Sequence, residues 1–315
     1  SIGIATYPND GETVDDLVKA ADTAMYSAKD LGGSQYHFYT QEMNRAAQAR
    51  WELETALQRA VQERQFLLHY QPKVACLSRE VVGIEALLRW QHPTRGILPP
   101  TEFLPFLEQS GLIIPVGEFV LREACRQTKC WQDSGVPVFR MSVNISIRQF
   151  RGDLFVDLIK RILVETGLDA AFLELEFTEG LLLDNPRLAI QKMEELKALG
   201  VTLSIDDFGS GYSSLSYLKH FPVDYLKVDK SFITDLQIGS KDNAITLAIA
   251  GLARSLNLGI VAEGVETAEQ VRLLKTHGYN ELQGYIIAKP MDPSAIPAFV
   301  MTTHTDALAE MILEN

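Results

Sequence analysis

The stretch VTLSIDDFGSGYSSL, residues 201–215, joins a strand to a pair of acids and then to a turn. Val201, Leu203 and Ile205 alternate with polar residues, which is typical of a β-strand. The chain then passes through Asp206 and Asp207 into a glycine-containing turn, where the backbone can reverse at little steric cost. Two adjacent carboxylates repel each other unless a cation lies beside them. Taken alone, the pair is more typical of a solvated acidic turn than of a site, so the other strands must decide.

Strand-like runs of the same kind recur along the chain, and helical patterns separate most of them. The runs cover residues 66–74, 81–90, 139–146, 172–179, 201–207, 225–230, 259–265 and 281–287. The helical patterns lie near residues 102–110, 117–133, 153–166, 186–199, 213–220, 241–256 and 267–277. This alternation predicts an α/β fold with a parallel sheet covered by helices. Eight strands favour a closed barrel, and no glycine-rich dinucleotide fingerprint follows the first strand, as it would in many open sheets. An open doubly wound sheet stays as the alternative.

Two segments precede the predicted barrel. Residues 1–40 have the pattern strand, helix, strand, which is too little to bury a core, so we expect a remnant of a longer domain. Residues 41–66 predict one stiff connecting helix, with Trp51, Leu53 and Leu57 on its apolar stripe. The barrel is predicted over 67–302, and a helical tail over 303–315.

The composition limits the partners of the chain. Its 315 residues are 46% hydrophobic and carry a formal net charge of −12, which disfavours binding to a DNA or RNA duplex. A small phosphorylated ligand stays compatible if metals or local cations offset the charge. Three cysteines without zinc spacing, the lack of an apolar run of membrane-spanning length and a start unlike a signal peptide predict a cytoplasmic chain without membrane contact.

Polar side chains that apolar packing would not select follow the predicted strands. In chain order they are Gln71, Glu85, Asn144, Glu176, Asp206, Asp207, Lys227, Asp229, Glu263 and Gln283. Each has an ordinary structural explanation by itself, such as a helix start, a turn or a surface pair. Strand ends of an α/β barrel meet at one face, however, and that face carries the chemistry of such barrels. Together these residues favour a site.

The residue types in this set predict its cofactor. Carboxylates with one amide, and without cysteine or histidine, suit hard divalent ions: Mg²⁺ or Mn²⁺, with Ca²⁺ as a competitor. The adjacent Asp206 and Asp207 suit two ions, the arrangement used for in-line displacement at phosphorus by a metal-activated water. Lys227 and Arg89 are then the cations available for phosphate oxygens. The residues therefore predict hydrolysis of a phosphoester without naming the ester.

Several motifs make the chain resemble the EAL-domain phosphodiesterases, which linearise cyclic di-GMP. They are YQP at 70–72, EALLRW at 85–90, VNIS at 143–146, ELEFTE at 174–179, DDFGSGYSSL at 206–215, KVDK at 227–230, AEGVET at 262–267 and QGY at 283–285. The resemblance covers about residues 52–302. It implies a modified TIM barrel whose first strand is antiparallel, and cleavage of cyclic di-GMP to linear pGpG. It also implies Mg²⁺ or Mn²⁺ as cofactor, inhibition by Ca²⁺, and a homodimer.

The same resemblance implies a role for each matching position. Glu85, Asn144, Glu176 and Asp206 match ligands of a first metal ion, and Asp207, with Asp229 close by, matches a second. Lys227 and Glu263 match residues that bind or orient the attacking water, and the choice of general base stays open. Gln71, Arg89 and Gln283 match positions that contact the substrate. Glu179 matches the acid that anchors the loop after Asp207.

The first 40 residues resemble the C-terminal end of a GGDEF, or diguanylate cyclase, domain. SIGIATYP, ADTAMYSAK and the closing strand QYHFY carry that resemblance. The signature required for cyclase activity is not in this sequence, so we expect no cyclase activity. We expect a longer parent GGDEF–EAL protein, for which both membrane attachment and its absence are compatible with this sequence. Two alternatives to an active phosphodiesterase stand: a catalytically inactive cyclic di-GMP receptor, which loss of metal ligands would favour, and an unrelated metal-dependent barrel hydrolase or lyase.

Overall fold

A computed structural model describes residues 1–30, 32–137, 139–209 and 215–303. The chain divides into two compact units, one covering Ser1–Arg64 and one that begins at Gln65. The predicted helical tail lies outside the described residues from 304 onward, as do residues 210–214, which belong to the loop predicted after Asp207 and to the start of the helix predicted near 213–220.

The first unit has the predicted order of strand, helix and strand, followed by a long helix. Strand β1 is Ile2–Ile4, helix α1 is Val14–Asp30, strand β2 is Tyr36–Phe38 and helix α2 is Gln41–Gln62. The two strands pair in parallel, which confirms the predicted strand-helix-strand remnant. The prediction that α2 runs to residue 66 is wrong. Arg64 adopts a left-handed φ of 55°, which ends a helical path, and Phe66 already begins the next strand.

The second unit is built on a closed ring of eight strands with a ninth strand outside it. The strands are β3 Phe66–Ala75, β4 Val81–His92, β5 Gly96–Leu98, β6 Arg140–Ile145, β7 Leu173–Thr178, β8 Thr202–Phe208, β9 Tyr225–Val228, β10 Gly259–Ala262 and β11 Glu281–Leu282. The ring runs β3-β11-β10-β9-β8-β7-β6-β4 and closes by pairing β4 with β3, while β5 pairs with β4 outside it. Strand β3 is antiparallel to both of its neighbours. The predicted barrel with one antiparallel strand is confirmed.

Helices follow most of the strands and cover the ring. They are α3 Leu104–Ser110, α4 Ile113–Asp133, α5 Ile147–Arg151, α6 Phe155–Thr166, α7 Glu179–Asp184, α8 Pro186–Ala198, α9 Leu215–Leu218, α10 Ser231–Thr234, α11 Lys241–Ser255, α12 Ala268–His277 and α13 Ile296–Thr303. Short 3₁₀ turns occupy Pro100–Glu102 and Ala170–Phe172. The sequence did not predict α5, α7, α10 or β5, because three to six residues are too few to show a helical or strand period.

The ring strands are buried on both faces, and the two faces differ in chemistry. In β7 the apolar Leu175 and Phe177 are fully buried, and the charged Glu174, which precedes Leu175, is fully buried as well. Successive side chains of a strand point to opposite faces, so the apolar set faces the helices and the charged set faces the barrel interior. A TIM barrel is ordinarily filled by branched apolar side chains. Here the interior is polar, and this face of the strands builds the site.

In the part of the chain that the structure describes, no helix combines the length and the apolar composition needed to cross a membrane.

Candidate functional site

The polar residues predicted at strand ends lie together at one mouth of the barrel, but the prediction that Gln71 and Glu85 end their strands is wrong, because β3 and β4 continue past them to Ala75 and His92. We call the following residues the upper layer: Gln71, Glu85, Asn144, Glu176, Asp206, Asp207, Lys227, Asp229, Glu263 and Gln283. Strand register contributes directly, since Gln71 lies opposite Glu85 and Asn144 lies opposite Glu176. Glu263 and Gln283 follow the last residues of β10 and β11.

Lys227 stands at the centre of the upper layer. Its side chain is fully buried, and its Nζ lies 2.6 Å from Glu176 Oε2, 3.1 Å from Asp206 Oδ1 and 2.5 Å from Glu263 Oε1. Glu85 Oε2 is 4.0 Å away. Burial opposes the charged form, but the surrounding carboxylates, Asp206 first, outweigh it and raise the pKa of Lys227 well above its ordinary value. Lys227 is therefore an ammonium ion held among four carboxylates.

Glu85 links the predicted metal ligands to the predicted substrate contacts. Its Oε1 accepts a hydrogen bond from Asn144 Nδ2 at 2.6 Å, and its Oε2 accepts one from Gln283 Nε2 at 2.6 Å. Gln283 Nε2 also lies 3.2 Å from Gln71 Oε1, and Gln71 Nε2 donates to the carbonyl of Ala288 at 3.0 Å. Within the described residues, the buried Oε1 of Gln283 has no hydrogen-bond donor. This acceptor is thus available for a ligand group.

Three acids form a group with the spacing of a metal site. One carboxylate oxygen each from Asp206, Asp207 and Glu263 lie within 4.8 Å of one another. Asp207 has a φ of 54°, a left-handed conformation that is uncommon outside glycine, and its amide donates to Asp206 Oδ1 at 3.0 Å. The sequence assigned Glu263 to the attacking water. The geometry also makes Glu263 a candidate metal ligand.

The side chains of Asp207 and Asp229 interact, so the two carboxyls take up a proton as a pair. Burial, followed by the charge of Asp206, raises the pKa of Asp207 to about 6. Burial also acts on Asp229, but the hydroxyl and amide of Ser231 outweigh it and lower the pKa of Asp229. The Ser231 amide lies 2.9 Å from Asp229 Oδ1. The shared proton therefore belongs on Asp207.

The charge of the upper layer fits divalent cations. Glu85, Glu176, Asp206, Asp207, Asp229 and Glu263 are its carboxylates, and Lys227 is its central cation. Burial and then the charge of Asp206 raise the pKa of Glu263 well above its ordinary value. Carboxylates that lie close together without enough positive charge bind protons. They release these protons when a metal cation binds. The donor set is oxygen with one amide, which suits Mg²⁺ or Mn²⁺.

Arg89 and Glu179 stand apart from this group. Arg89 is half-buried on β4, where its Nη1 donates to the carbonyl of Leu88 at 2.8 Å, and burial lowers the pKa of its guanidinium. Glu179 is the first residue of α7, directly after β7. The loop that Glu179 is predicted to anchor lies largely outside the described residues.

A second set of charged residues fills the barrel beneath the upper layer, and the sequence reasoning missed it. We call Lys73, Arg140, Glu174 and Glu281 the lower layer. Arg140 Nε lies 3.2 Å from Glu174 Oε2, and its Nη2 lies 2.5 Å from Glu281 Oε1. Lys73 Nζ lies 3.5 Å from Glu174 Oε1. Burial opposes ionisation of Glu174, but Lys73 and Arg140 outweigh it and lower the pKa of Glu174 to about 2.

A signal for the lower layer was present in the sequence. Lys73 and Glu174 each lie two positions from a predicted site residue, Gln71 and Glu176, on a predicted strand. Residues two apart on a strand share a face. A charged residue at that spacing therefore belongs to the interior once the site is placed there.

Comparison with known proteins identifies the family. The family model "EAL domain" matches residues 54–290. The chain belongs to the EAL domain family. The model "Diguanylate cyclase, GGDEF domain" matches residues 1–35, so a short GGDEF fragment precedes the EAL domain.

Two relatives of this EAL chain are named as cyclic di-GMP phosphodiesterases. It is 46% identical over 300 residues to "Bifunctional diguanylate cyclase/cyclic di-GMP phosphodiesterase MucR" of Pseudomonas aeruginosa, covering 95% of this chain and 44% of the relative. It is 40% identical over 291 residues to "Cyclic di-GMP phosphodiesterase PdeR" of Escherichia coli, covering 92% of this chain and 44% of the relative. The chain thus spans less than half the length of these relatives.

A solved structure, "PaMucR Phosphodiesterase, c-di-GMP complex", is similar to the barrel. Its TM-score is 0.75 and its sequence identity is 45%, and the match covers 78% of this chain and 99% of that chain.

Proposed function

We propose that this chain hydrolyses cyclic di-GMP to linear pGpG with Mg²⁺ or Mn²⁺ bound in the upper layer. The observation that carries the proposal is the group of Asp206, Asp207 and Glu263 beside the buried ammonium of Lys227. The names of the relatives and of the solved complex supply the substrate. The family resemblance supplies the product.

The proposed ligands are the ones that the resemblance assigns. One ion would be held by Glu85, Asn144, Glu176 and Asp206. A second ion would be held by Asp207 together with Asp229. Glu263 lies beside Asp206 and Asp207. When bound, such ions lower the pKa of a coordinated water and neutralise phosphate charge. The sequence by itself left the metal's identity among Mg²⁺, Mn²⁺ and the competitor Ca²⁺, and the choice of the first two stays a proposal.

Lys227 and Glu263 have different proposed roles: Lys227 stabilises negative charge, and Glu263 accepts a proton. Because its pKa is raised, Lys227 stays protonated at neutral pH and serves as an electrostatic group for the negative charge that develops on phosphate oxygens. Glu263 lies in the acidic group, with its Oε1 2.5 Å from Lys227 Nζ, so its carboxylate is our choice for accepting the proton of the attacking water.

Substrate contacts would come from the rim of the same site. The buried Oε1 of Gln283 lacks a donor within the described residues and can accept a hydrogen bond from the nucleotide. Gln71 lies beside it, joined by the 3.2 Å contact of their amides. Arg89 supplies a half-buried guanidinium whose pairing with a phosphate would offset its burial. These roles agree with the resemblance.

The test is to incubate the purified chain with cyclic di-GMP and Mg²⁺, with and without excess Ca²⁺, and to separate the products by chromatography. We expect linear pGpG, and we expect Ca²⁺ to suppress it. Binding of cyclic di-GMP without cleavage would favour the receptor alternative. The absence of both binding and cleavage would contradict the proposal.

Three further proposals stand: a homodimer and an anchoring role for Glu179, which rest on the family resemblance, and a cytoplasmic location, which rests on the composition of the sequence. Light scattering of the purified chain tests the first, since a monomer mass at micromolar concentration would contradict it.

A further inference from the structure

The carboxylate of Glu176 is held by two different lysines. Its Oε2 lies 2.6 Å from Lys227 Nζ, and its Oε1 lies 2.9 Å from Lys73 Nζ. Glu176 is about 1% exposed, and the side chains of both lysines are fully buried. Each oxygen of this carboxylate thus has its own charged hydrogen-bond donor, one from the upper layer and one from the lower.

Lys73 is itself fixed in place from the lower layer. Its Nζ lies 2.5 Å from Ser142 Oγ and 3.5 Å from Glu174 Oε1, in addition to Glu176. Ser142 is fully buried on β6, and Glu174 is fully buried on β7, the strand that also carries Glu176. Three fixed partners on two neighbouring strands determine where the ammonium lies, so Lys73 presents a positive charge at a defined position under Glu176.

This arrangement has a consequence for cation binding. A carboxylate with one free side can rotate about its terminal torsion, which is broad and soft. A carboxylate whose second oxygen is hydrogen-bonded to a fixed ammonium cannot, and groups behind metal ligands typically change metal affinity or activity by about 10–100-fold when they are removed. Lys73 lies below Glu176, away from the mouth of the barrel, as expected for a supporting group.

We propose that Lys73 is a positioning residue that orients Glu176 for divalent-cation binding at the mouth of the barrel. The inference rests on the proposed function, because it concerns the same site, but it is a statement about this chain's own side chains and can be measured with the metal alone. Lys73 reaches the upper layer through its hydrogen bond to Glu176, so it acts through that carboxylate.

The test compares two buried lysines of the same unit. Lys73→Met removes the ammonium under Glu176. Lys192→Met is the matched control, because Lys192 is also buried but donates to the backbone carbonyls of Phe150, Arg151 and Gly152. Both substitutions remove a buried charge from a hydrogen-bonded position, so both are expected to lower the melting temperature. If Lys73 had a purely structural role, Lys73→Met would lower the melting temperature and leave Mn²⁺ affinity unchanged.

The deciding readout is Mn²⁺ binding measured by titration calorimetry without nucleotide. For Lys73→Met we expect Mn²⁺ affinity to fall by about tenfold or more. At saturating Mn²⁺ we expect kcat to fall by about 10–100-fold while KM for cyclic di-GMP changes by less than about threefold. For Lys192→Met we expect Mn²⁺ affinity and kcat per folded molecule to match the unsubstituted chain. Equal Mn²⁺ affinity in Lys73→Met and the unsubstituted chain would overturn the proposal.

A milder variant covers the case in which Lys73→Met does not fold. Ser142→Ala keeps the charge of Lys73 and removes the hydroxyl at 2.5 Å from its Nζ. We expect a smaller loss of Mn²⁺ affinity, on the order of threefold, in the same direction. No change in that variant would also count against the proposal.

The outcomes separate this inference from the proposed function. If the unsubstituted chain binds Mn²⁺ without cleaving cyclic di-GMP, and Lys73→Met weakens that binding, the positioning role stands while the proposed activity fails. If the unsubstituted chain cleaves cyclic di-GMP and Lys73→Met keeps its Mn²⁺ affinity, the activity stands while the positioning role fails.

Discussion

The two charged layers of the barrel interior lie two to four residues apart along the same strands, yet their charges are organised in opposite ways. In the lower layer, Arg140 and Lys73 each lie within 3.5 Å of Glu174, and Arg140 also pairs with Glu281. Cations and carboxylates are equal in number there. The upper layer contains six carboxylates, and the four that lie within 4.0 Å of the central ammonium of Lys227 are those of Glu85, Glu176, Asp206 and Glu263.

The pKa directions express the same contrast. Lower-layer cations lower the pKa of Glu174 to about 2, although burial opposes this. In the upper layer, burial and neighbouring carboxylates raise the pKa of Asp207 to about 6 and that of Glu263 well above its ordinary value. A balanced buried layer supports the fold, whereas an unbalanced one is suited to bind cations. Buried charge alone therefore does not mark a site, whereas an excess of buried charge of one sign does.

The strongest test of the contrast is Glu85→Gln in the upper layer. Removing a proposed metal ligand should lower the rate of cyclic di-GMP cleavage by about 1,000-fold. This loss exceeds the roughly 10–100-fold loss of activity that is typical when a residue hydrogen-bonded to a metal ligand is removed. The melting temperature in EDTA should not fall, since the change removes one of several repelling carboxylates. Cleavage assays and thermal unfolding measure the two effects. Rates close to those of the unsubstituted chain would remove Glu85 from the proposed ligands.

The matched substitution in the lower layer is Glu281→Gln. This substitution leaves Glu174 as the only lower-layer carboxylate paired with Arg140. Removing one partner of a buried ion pair lowers the free energy of unfolding by about 3–5 kcal/mol. We expect about 3 kcal/mol here, because the Arg140 side chain is 20% exposed. This corresponds to about 150-fold in the unfolding equilibrium. Urea unfolding measures the loss, and we expect the folded variant to retain cleavage. Unchanged stability would show that the lower layer does not support the fold.

Lys227→Met tests the centre of the upper layer. We expect kcat to fall by about 100-fold with little change in KM, as for an electrostatic group that acts in the transition state. Because the neighbouring carboxylates then lose their ammonium, Mg²⁺ should raise the melting temperature of this variant more than that of the unsubstituted chain. A loss confined to KM would instead make Lys227 a substrate-binding residue.

The smallest expected effect is on pH dependence. Asp207 has a folded pKa of about 6 against an ordinary 3.8, so the folded chain binds its proton more tightly and stability falls as the pH rises through that window. Glu174 has a folded pKa of about 2 against an ordinary 4.5, so stability falls as the pH drops through that window. In EDTA the melting temperature should therefore rise from pH 7 to pH 5 and decline below about 4.5.

Magnesium provides the control for the pH experiment. A cation bound at Asp207 favours the ionised carboxylate, so Mg²⁺ should abolish the rise between pH 7 and pH 5. A rise that persists unchanged in Mg²⁺ would mean that Asp207 is not a ligand.

The sequence was sufficient for the ring and for much of its mouth. Alternating strand and helix patterns predicted eight strands, because strand faces and helix stripes repeat at fixed periods. Residues near strand ends, such as Asn144 and Asp206, could be grouped because parallel strands of a barrel end at one face. Short elements such as β5 and α10 were missed, and α2 was predicted too long, because these features depend on single turns and not on a period.

Tertiary structure alone decided which charges are paired. Lys73, on β3, reaches Glu176, 103 positions away on β7, and Arg140 reaches Glu281, 141 positions away. Ring closure brings such residues together, and the sequence holds no local pattern for contacts across a barrel. The residue types therefore determined that the mouth is acidic and the fold a barrel. The distances decided that one interior layer is neutral and the other carries excess negative charge, because pairing of buried ions depends on separations of a few ångströms.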